Sequence, residues 1–343
     1  WGDGSVSETV SGTGTLSIVH TYAATGDYDV VITVADGCTM TFGGGTQATT
    51  FVNNDTSSNV STCRTYLTEL YIGRNAEIAS YAFYNSYNLT RLVLPTSMTK
   101  IAGYALYSTY RVGCFVIPSG VIAIEDYAFA VTGGNYSYRK ANIISLPASV
   151  ETFGTRVFHS RYYSLRTIIP TTKEIDIPDG CFANSYTLRR VFVHGSITKV
   201  GNSAFSGCNS LPKLPSLDAA TSIGTYAFSN MNLLEELKLP SAITEISNNA
   251  MYELSSLKEF VIPTSVTTIG NYFCYNAKTL RRLIVAGSSI ESIGSSGFSY
   301  CLPTREIIFL SETPPSYDIY KAIVTSNYYS TVFVPDNAVE AYQ

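Results

Sequence analysis

The chain has 343 residues, a formal net charge of −4 and a charged fraction of only 14 %. No clustered basic excess marks a nucleic-acid footprint, and no apolar run reaches the roughly 18 residues that a membrane helix needs. Seven cysteines, an odd number without a Cys-x-x-Cys pair, argue against a zinc or dithiol site.

Residues 1–45 differ in character from the rest of the chain. Trp1-Gly2-Asp3-Gly4-Ser5 opens a turn, and Gly26-Asp27 marks another. Tyr28, Val30, Ile32 and Val34 then fall at the period of two expected of a half-buried strand. Asp3 reads as a turn residue rather than a cation ligand, because no second carboxylate stands at ligand spacing. Together with His20-Thr21-Tyr22, these motifs resemble the later half of a PKD-like immunoglobulin-type sandwich. That family's earlier strands would precede Trp1, so the expectation is a partial β unit or an N-terminal cap over 1–45, the cap being favoured. The chain opens at Trp1, inside this motif, and reads as a piece of a longer protein. Residues 46–61, rich in Thr, Asn and Ser, read as a linker. Cys38 and Cys63 flank it; they are read either as a disulfide or, like the other cysteines, as buried thiols acting as small hydrophobes.

From Thr62 the sequence repeats. Anchor residues Phe83, Leu106, Phe129, Phe158, Phe182, Phe205, Phe228, Met251, Cys274 and Phe298 follow at steps of 23, 23, 29, 24, 23, 23, 23, 23 and 24. Five residues before each anchor stands an apolar residue, as in Ile78, Ile177 and Ile269. Six after stand Leu89, Val112, Leu188, Leu211, Leu234, Leu257 and Leu280. A period in this range means a solenoid. One copy cannot bury its apolar side chains alone, so neighbours must stack. In Leu89-Thr90-Arg91-Leu92-Val93-Leu94-Pro95 the leucines face inward by the period of two and Arg91 and Val93 outward; proline ends the strand. The Ile…Ala-Phe segment reads as a turn of helix or 3₁₀ that drops Phe into the core.

The pattern I-x-x-x-A-F-x-x-C-x-x-L-x-x-L-x-L-P, seen best in VGNSAFSGCNSLPKL from Val200 to Leu214, resembles the BspA-like leucine-rich repeats of bacterial surface proteins. The resemblance covers 62–310. It implies a leucine-rich repeat solenoid, mostly β with short helical or 3₁₀ turns, of about ten 23–24-residue repeats. It also implies an extracellular or cell-surface location in a bacterium and adhesion to a host or microbial surface protein.

Between Phe129 and Phe158 lie six extra residues, carrying Tyr136 and Tyr138, and insertions in solenoids map to loops on one face. The departure TTKEIDIPDGCF before Phe182 predicts a local kink that keeps Ile175 and Ile177 in the core. Residues 311–343 read as a C-terminal cap: Pro314-Pro315 breaks the repeat, Thr331-Val332-Phe333-Val334-Pro335 adds a strand, and Asp336 caps a closing helix.

No catalytic set emerges. His20, His159 and His194 lie in different units, and H-E-x-x-H, G-x-S-x-G and phosphate-loop motifs are missing. Glu235 and Glu236 are adjacent in a strand and point to opposite faces. Neither enzymatic activity nor a cofactor is expected. What remains is surface. Along the open face the outward row is Tyr71, Val93, Val116, Ser145, Phe192, Pro215, Lys238, Val261, Ile284 and Ile308. Glu69, Arg91, Arg190, Lys213, Glu236, Glu259 and Arg282 flank it. An apolar row beside mixed charge suits protein recognition, although β-propensity alone would place the same residues there. Tyrosines recur two before, one after and four after the anchor, and suit either inter-repeat stacking or glycan contact. The expected ligand set is Tyr71, Arg91, Val93, Val116, Arg190, Phe192, Lys238, Val261, Arg282 and Ile284, with Tyr136 and Tyr138. The partner is a host or microbial surface protein, bound by a monomer. Alternatives are a structural spacer displaying another domain and a glycan-binding module.

Overall fold

The computed structural model describes residues 5, 40–42, 68–73, 76–109, 111–131, 143–160, 166–297, 306–314 and 331–342. The chain divides into two units, Trp1–Met40 and Thr41–Gln343. The strand expected over 28–34, the Cys38–Cys63 pair and the inserted segment around Tyr136 and Tyr138 lie outside the described residues.

The larger unit is a parallel β-solenoid. Most of the described coils contribute one strand to an open face and a second short strand to the opposite side. On the open face Cys114–Val116, Ile143–Ser145, Arg166–Ile169 and Arg190–Val193 form one parallel sheet. Glu259–Ile262, Arg282–Val285, Glu306–Phe309 and Thr331–Phe333 form another. Glu69–Tyr71 pairs with Arg91–Val93. The opposite side is built the same way, as in Ile175–Ile177, Ile197–Val200 and Ser222–Ile223. These short runs are strands because their apolar residues alternate: Leu92, Phe115, Val191, Phe260 and Leu283 are buried while both of their neighbours on the strand are less so. The kink expected near Ile175 is a bulge. The register against Ile197–Val200 shifts between Ile175 and Asp176, and both Ile175 and Ile177 stay buried.

The corners are not helical, which corrects the expectation of a helix or 3₁₀ turn there. Two residues before the anchor, and again two after it, the backbone is left-handed, as at Tyr104 (φ 57°) and Ser108 (φ 57°) or Ser203 (φ 53°) and Gly207 (φ 72°). Recurrent left-handed residues forbid a continuous helix. The anchor's N–H, and those two residues to either side, turn to the next coil instead. Phe182 N donates to Ala204 O at 2.8 Å, Phe205 N to Ala227 O at 2.9 Å and Phe228 N to Ala250 O at 2.9 Å. The corner is therefore a third inter-coil ladder. Asp126, Asp179, Asn202, Asn248 and Asn271 reinforce it: each Oδ1 accepts a backbone N–H of the next coil at 2.7–2.9 Å.

Inside, the anchors stack. Phe129, Phe158, Phe182, Phe205 and Phe228 are fully buried, with successive ring centroids 5.9, 5.3, 5.3 and 6.2 Å apart. Where the anchor is Cys274, the preceding residue is Phe273 instead of the usual alanine, and the next coil offers Gly297 against it. Volume is exchanged between adjacent positions, as close packing requires.

The open face has one interruption. Residues 213–215 and 236–238 hold row positions but form no strand, so Pro215 and Lys238 are not ladder residues as expected. Pro212 and Pro215 lack the N–H that a parallel ladder needs. At the C-terminal end a 3₁₀ helix, Asp336–Tyr342, closes the unit, and Tyr342 Oη donates to Ser311 O at 2.9 Å.

Candidate recognition surface

The open face carries a row of outward side chains. Strand alternation sends every second side chain outward, and parallel register sets the outward ones side by side. Tyr71 faces Val93, Val116 faces Ser145, Val261 faces Ile284 and Ile284 faces Ile308. Tyr71 is 56 % exposed, Val116 70 % and Phe192 45 %. Val93 and Val261 are also exposed, whereas Ile284 is half-buried. Lys238 is exposed but stands in the interruption, paired with Asp218 at 3.3 Å. Two register positions were not anticipated. Ile168 is in register with Phe192 and Ser145 and falls in a copy with one extra residue, which displaced the count. Phe333, 48 % exposed, extends the row through the final strand.

The charged flank is partly self-neutralised. Arg282 sits between Glu259 and Glu306, at 3.1 and 2.7 Å, and Glu306 first, then Glu259, raise its pKa above the ordinary value. At the other end Tyr71 Oη donates to Glu69 at 3.1 Å, and the Arg91 guanidinium lies 4.9 Å from the centre of the Tyr71 ring. Arg190, by contrast, is exposed and makes no ion pair among the described residues.

The tyrosines form stacks along the corner. Tyr81, Tyr104 and Tyr127 lie parallel with centroids 4.6 and 4.6 Å apart, and Arg156 caps Tyr127. Burial, then the neighbouring tyrosines, push the Tyr104 hydroxyl up to about 12. Tyr252 stacks on Tyr275 at 5.3 Å. A sugar would pack on a ring face, and inside these stacks the faces are already covered.

Beside the first stack a depression of about 550 Å³ is lined by Tyr81, Tyr104, Glu125 and Asp126. Both carboxylates serve the fold. Glu125 accepts from Lys100 Nζ at 2.7 Å and Gly103 N at 2.9 Å. Burial raises its pKa, but these donors outweigh burial and hold it below the usual value. Asp126 Oδ1 accepts from Thr155 N at 2.7 Å. Among the described residues the nearest approach to a nucleophile and base is Ser160 with His159, 2.8 Å apart. Ser160 is buried, and burial followed by the Arg156 charge lowers the His159 pKa. Cys181, Cys208 and Cys274 are buried as expected, and Cys114 is exposed. Burial pushes the Cys181 and Cys208 thiols well up, which keeps them protonated and unreactive.

The BspA-type leucine-rich repeat region, as a family profile in six copies, matches residues 58–189 and 175–305. No curated protein matches the chain. In structure the chain is similar to a leucine-rich repeat protein from Bacteroides ovatus, with a TM-score of 0.54 and 21 % identity. That match covers 80 % of this chain and 62 % of the other, so the chain spans under two thirds of that protein, and the likeness is one of fold. A leucine-rich cell-surface protein from Faecalibacterium prausnitzii aligns with 75 % of this chain and 82 % of its own at 22 % identity and a TM-score of 0.41. The pneumococcal vaccine antigen PcpA aligns with 79 % and 68 % at 18 % identity and a TM-score of 0.39.

Proposed function

Because the chain belongs to the BspA-type leucine-rich repeat family, we propose that it is a non-enzymatic recognition protein of the bacterial cell surface. It binds a protein partner on its open sheet face. The observation that carries this reading is the outward row itself: Tyr71, Val93, Val116, Phe192 and Val261 are all at least 40 % exposed along a face with no covering layer among the described residues. Exposed apolar rows beside mixed charge are the composition of a protein interface. The glycan alternative is weakened by the tyrosine stacks, whose ring faces are occupied by one another. Adhesion to immobilised host matrix proteins tests the proposal. Phe192→Asp and Val261→Asp sit on exposed positions and should leave the fold intact while lowering binding. Binding unchanged across a panel would instead favour a spacer that displays another domain.

A further inference from the structure

We infer that the solenoid contains a hinge between the coil of Phe228 and the coil of Met251, about which the two halves of the open face pivot. The first coil runs through residues 213–215 and Ser222–Ile223, the second through residues 236–238 and Glu245–Ile246.

Neither sheet crosses this junction. On the open face neither stretch forms a strand, and one long bond, from Glu235 N to Pro212 O at 3.4 Å, stands in place of a ladder. On the opposite side one sheet ends at Ser222–Ile223 and another begins at Glu245–Ile246. At every other junction between described coils, at least one of the two sheets runs across. The Asx ladder skips the same place. Asn202 and Asn248 each bond the coil that follows, but the equivalent position between them is Thr225. The glycine that lies over such a side chain, as Gly224 and Gly270 do, is replaced by Ser247. Its hydroxyl donates to Ile223 O at 2.7 Å. The ring stack also stops here, because the anchor after Phe228 is Met251, and Tyr226 meets Tyr252 edge-on rather than face to face.

What does cross is the corner. The N–H groups of Tyr226, Phe228 and Asn230 donate to the carbonyls of Asn248, Ala250 and Tyr252 at 3.2, 2.9 and 2.8 Å. Ser255 and Ser256 add hydroxyl bonds to Asn232 O at the end of the same corner. These bonds lie along one edge of the coil and define a line about which it can turn. Away from that line the contact is chiefly apolar, with Ile223, Leu237, Leu239, Ile243 and Ile246 buried. Apolar burial is non-directional and survives a small rotation, whereas a ladder bond weakens steeply off its axis. The Lys238–Asp218 pair is exposed at both ends and adds little. Coils of a solenoid touch only their neighbours, so one loosely joined pair lets the halves move.

The exposed row spans this line. Tyr71, Val93, Val116 and Phe192 lie on one side, Val261 and Phe333 on the other. A partner that touches both sides selects one angle between them, and a partner confined to one side does not. The pivot itself stands whatever the open face binds.

The test is double electron–electron resonance on the full 343-residue chain. Spin labels are attached through non-natural amino acids, because Cys114 is exposed. Labels at Val116 and Val261 span the junction, and labels at Tyr71 and Phe192 lie on one side of it. The distance distribution across the junction should be the broader of the two. Thr225→Asn combined with Ser247→Gly installs the missing side-chain bond. It should narrow the Val116–Val261 distribution and leave the Tyr71–Phe192 one as it was. Equal widths for the two pairs in the otherwise unsubstituted chain would overturn the inference, as would a width across the junction that the double variant does not narrow. If the double variant does not fold, the comparison of the two pairs decides alone.

Discussion

Asp179 and Gly201 meet across neighbouring coils: a Cβ on Gly201 would lie 2.5 Å from both the backbone nitrogen and Oδ1 of Asp179. The same contact recurs between Asp126 and Gly154, Asn248 and Gly270, and Asn271 and Gly294, at 2.4–2.7 Å. An Asx side chain that bonds the next coil leaves room only for glycine above it. Gly201→Ala should therefore cost about 2–3 kcal/mol by overpacking against backbone that cannot yield. Gly113→Ala, with nothing within 4 Å of the added carbon, should change stability by less than about 0.5 kcal/mol. Urea unfolding of the two variants compares them directly.

Phe205 lies between Phe182 and Phe228 in the stack and is fully buried. Phe205→Ala should cost about 3–5 kcal/mol through lost transfer energy and a cavity. Because coils touch only their neighbours, hydrogen exchange should accelerate most in the two flanking coils and little near Phe83.

Tyr104 titrates near 12 in the folded chain, above the ordinary value of about 10. Below pH ~10 the hydroxyl is neutral in both states and contributes no pH dependence. Between about 10 and 12 the unfolded chain loses this proton and the folded chain retains it, so stability falls as pH rises. Tyr104→Phe should flatten that alkaline limb in thermal unfolding across the range. An unchanged limb would place the titration elsewhere.

Arg282 bridges Glu259 and Glu306 at the surface. Arg282→Gln should lower Tm slightly at low ionic strength, by leaving two carboxylates flanking a neutral side chain. The difference should close in high salt, because exposed pairs are screened.

How much of this could be read from the chain depended on how narrowly each position restricts its occupant. The anchor must fill a buried slot between rings, so Phe205, Phe228 and Met251 stood out by type and spacing. The open row followed from the alternation around Leu92 and Phe260. The corner geometry did not, because Tyr104, Asn184, Ser203, Arg156 and Glu253 occupy equivalent corner sites, Asn184 and Glu253 after the anchor and the others before it, and no shared residue type advertises the left-handed backbone. The Asx–Gly ladder was hidden for a related reason: its two halves lie in different copies, and Gly201 alone resembles ordinary turn punctuation. Pro215 carried the signal for the broken sheet, since proline does not suit a central strand. Ile168 was lost to a single extra residue between Phe158 and Phe182.

Tyr127, Phe129 and Val131 donate to Thr155, Val157 and His159 across the insertion, the same bonds that join coils elsewhere over a span six residues shorter. The longer span leaves these inter-coil bonds in place. Recombination that adds or removes a whole copy would then yield a product whose ends still match, so such a lineage can change its reach in a single genetic event while its contact chemistry drifts one coil at a time.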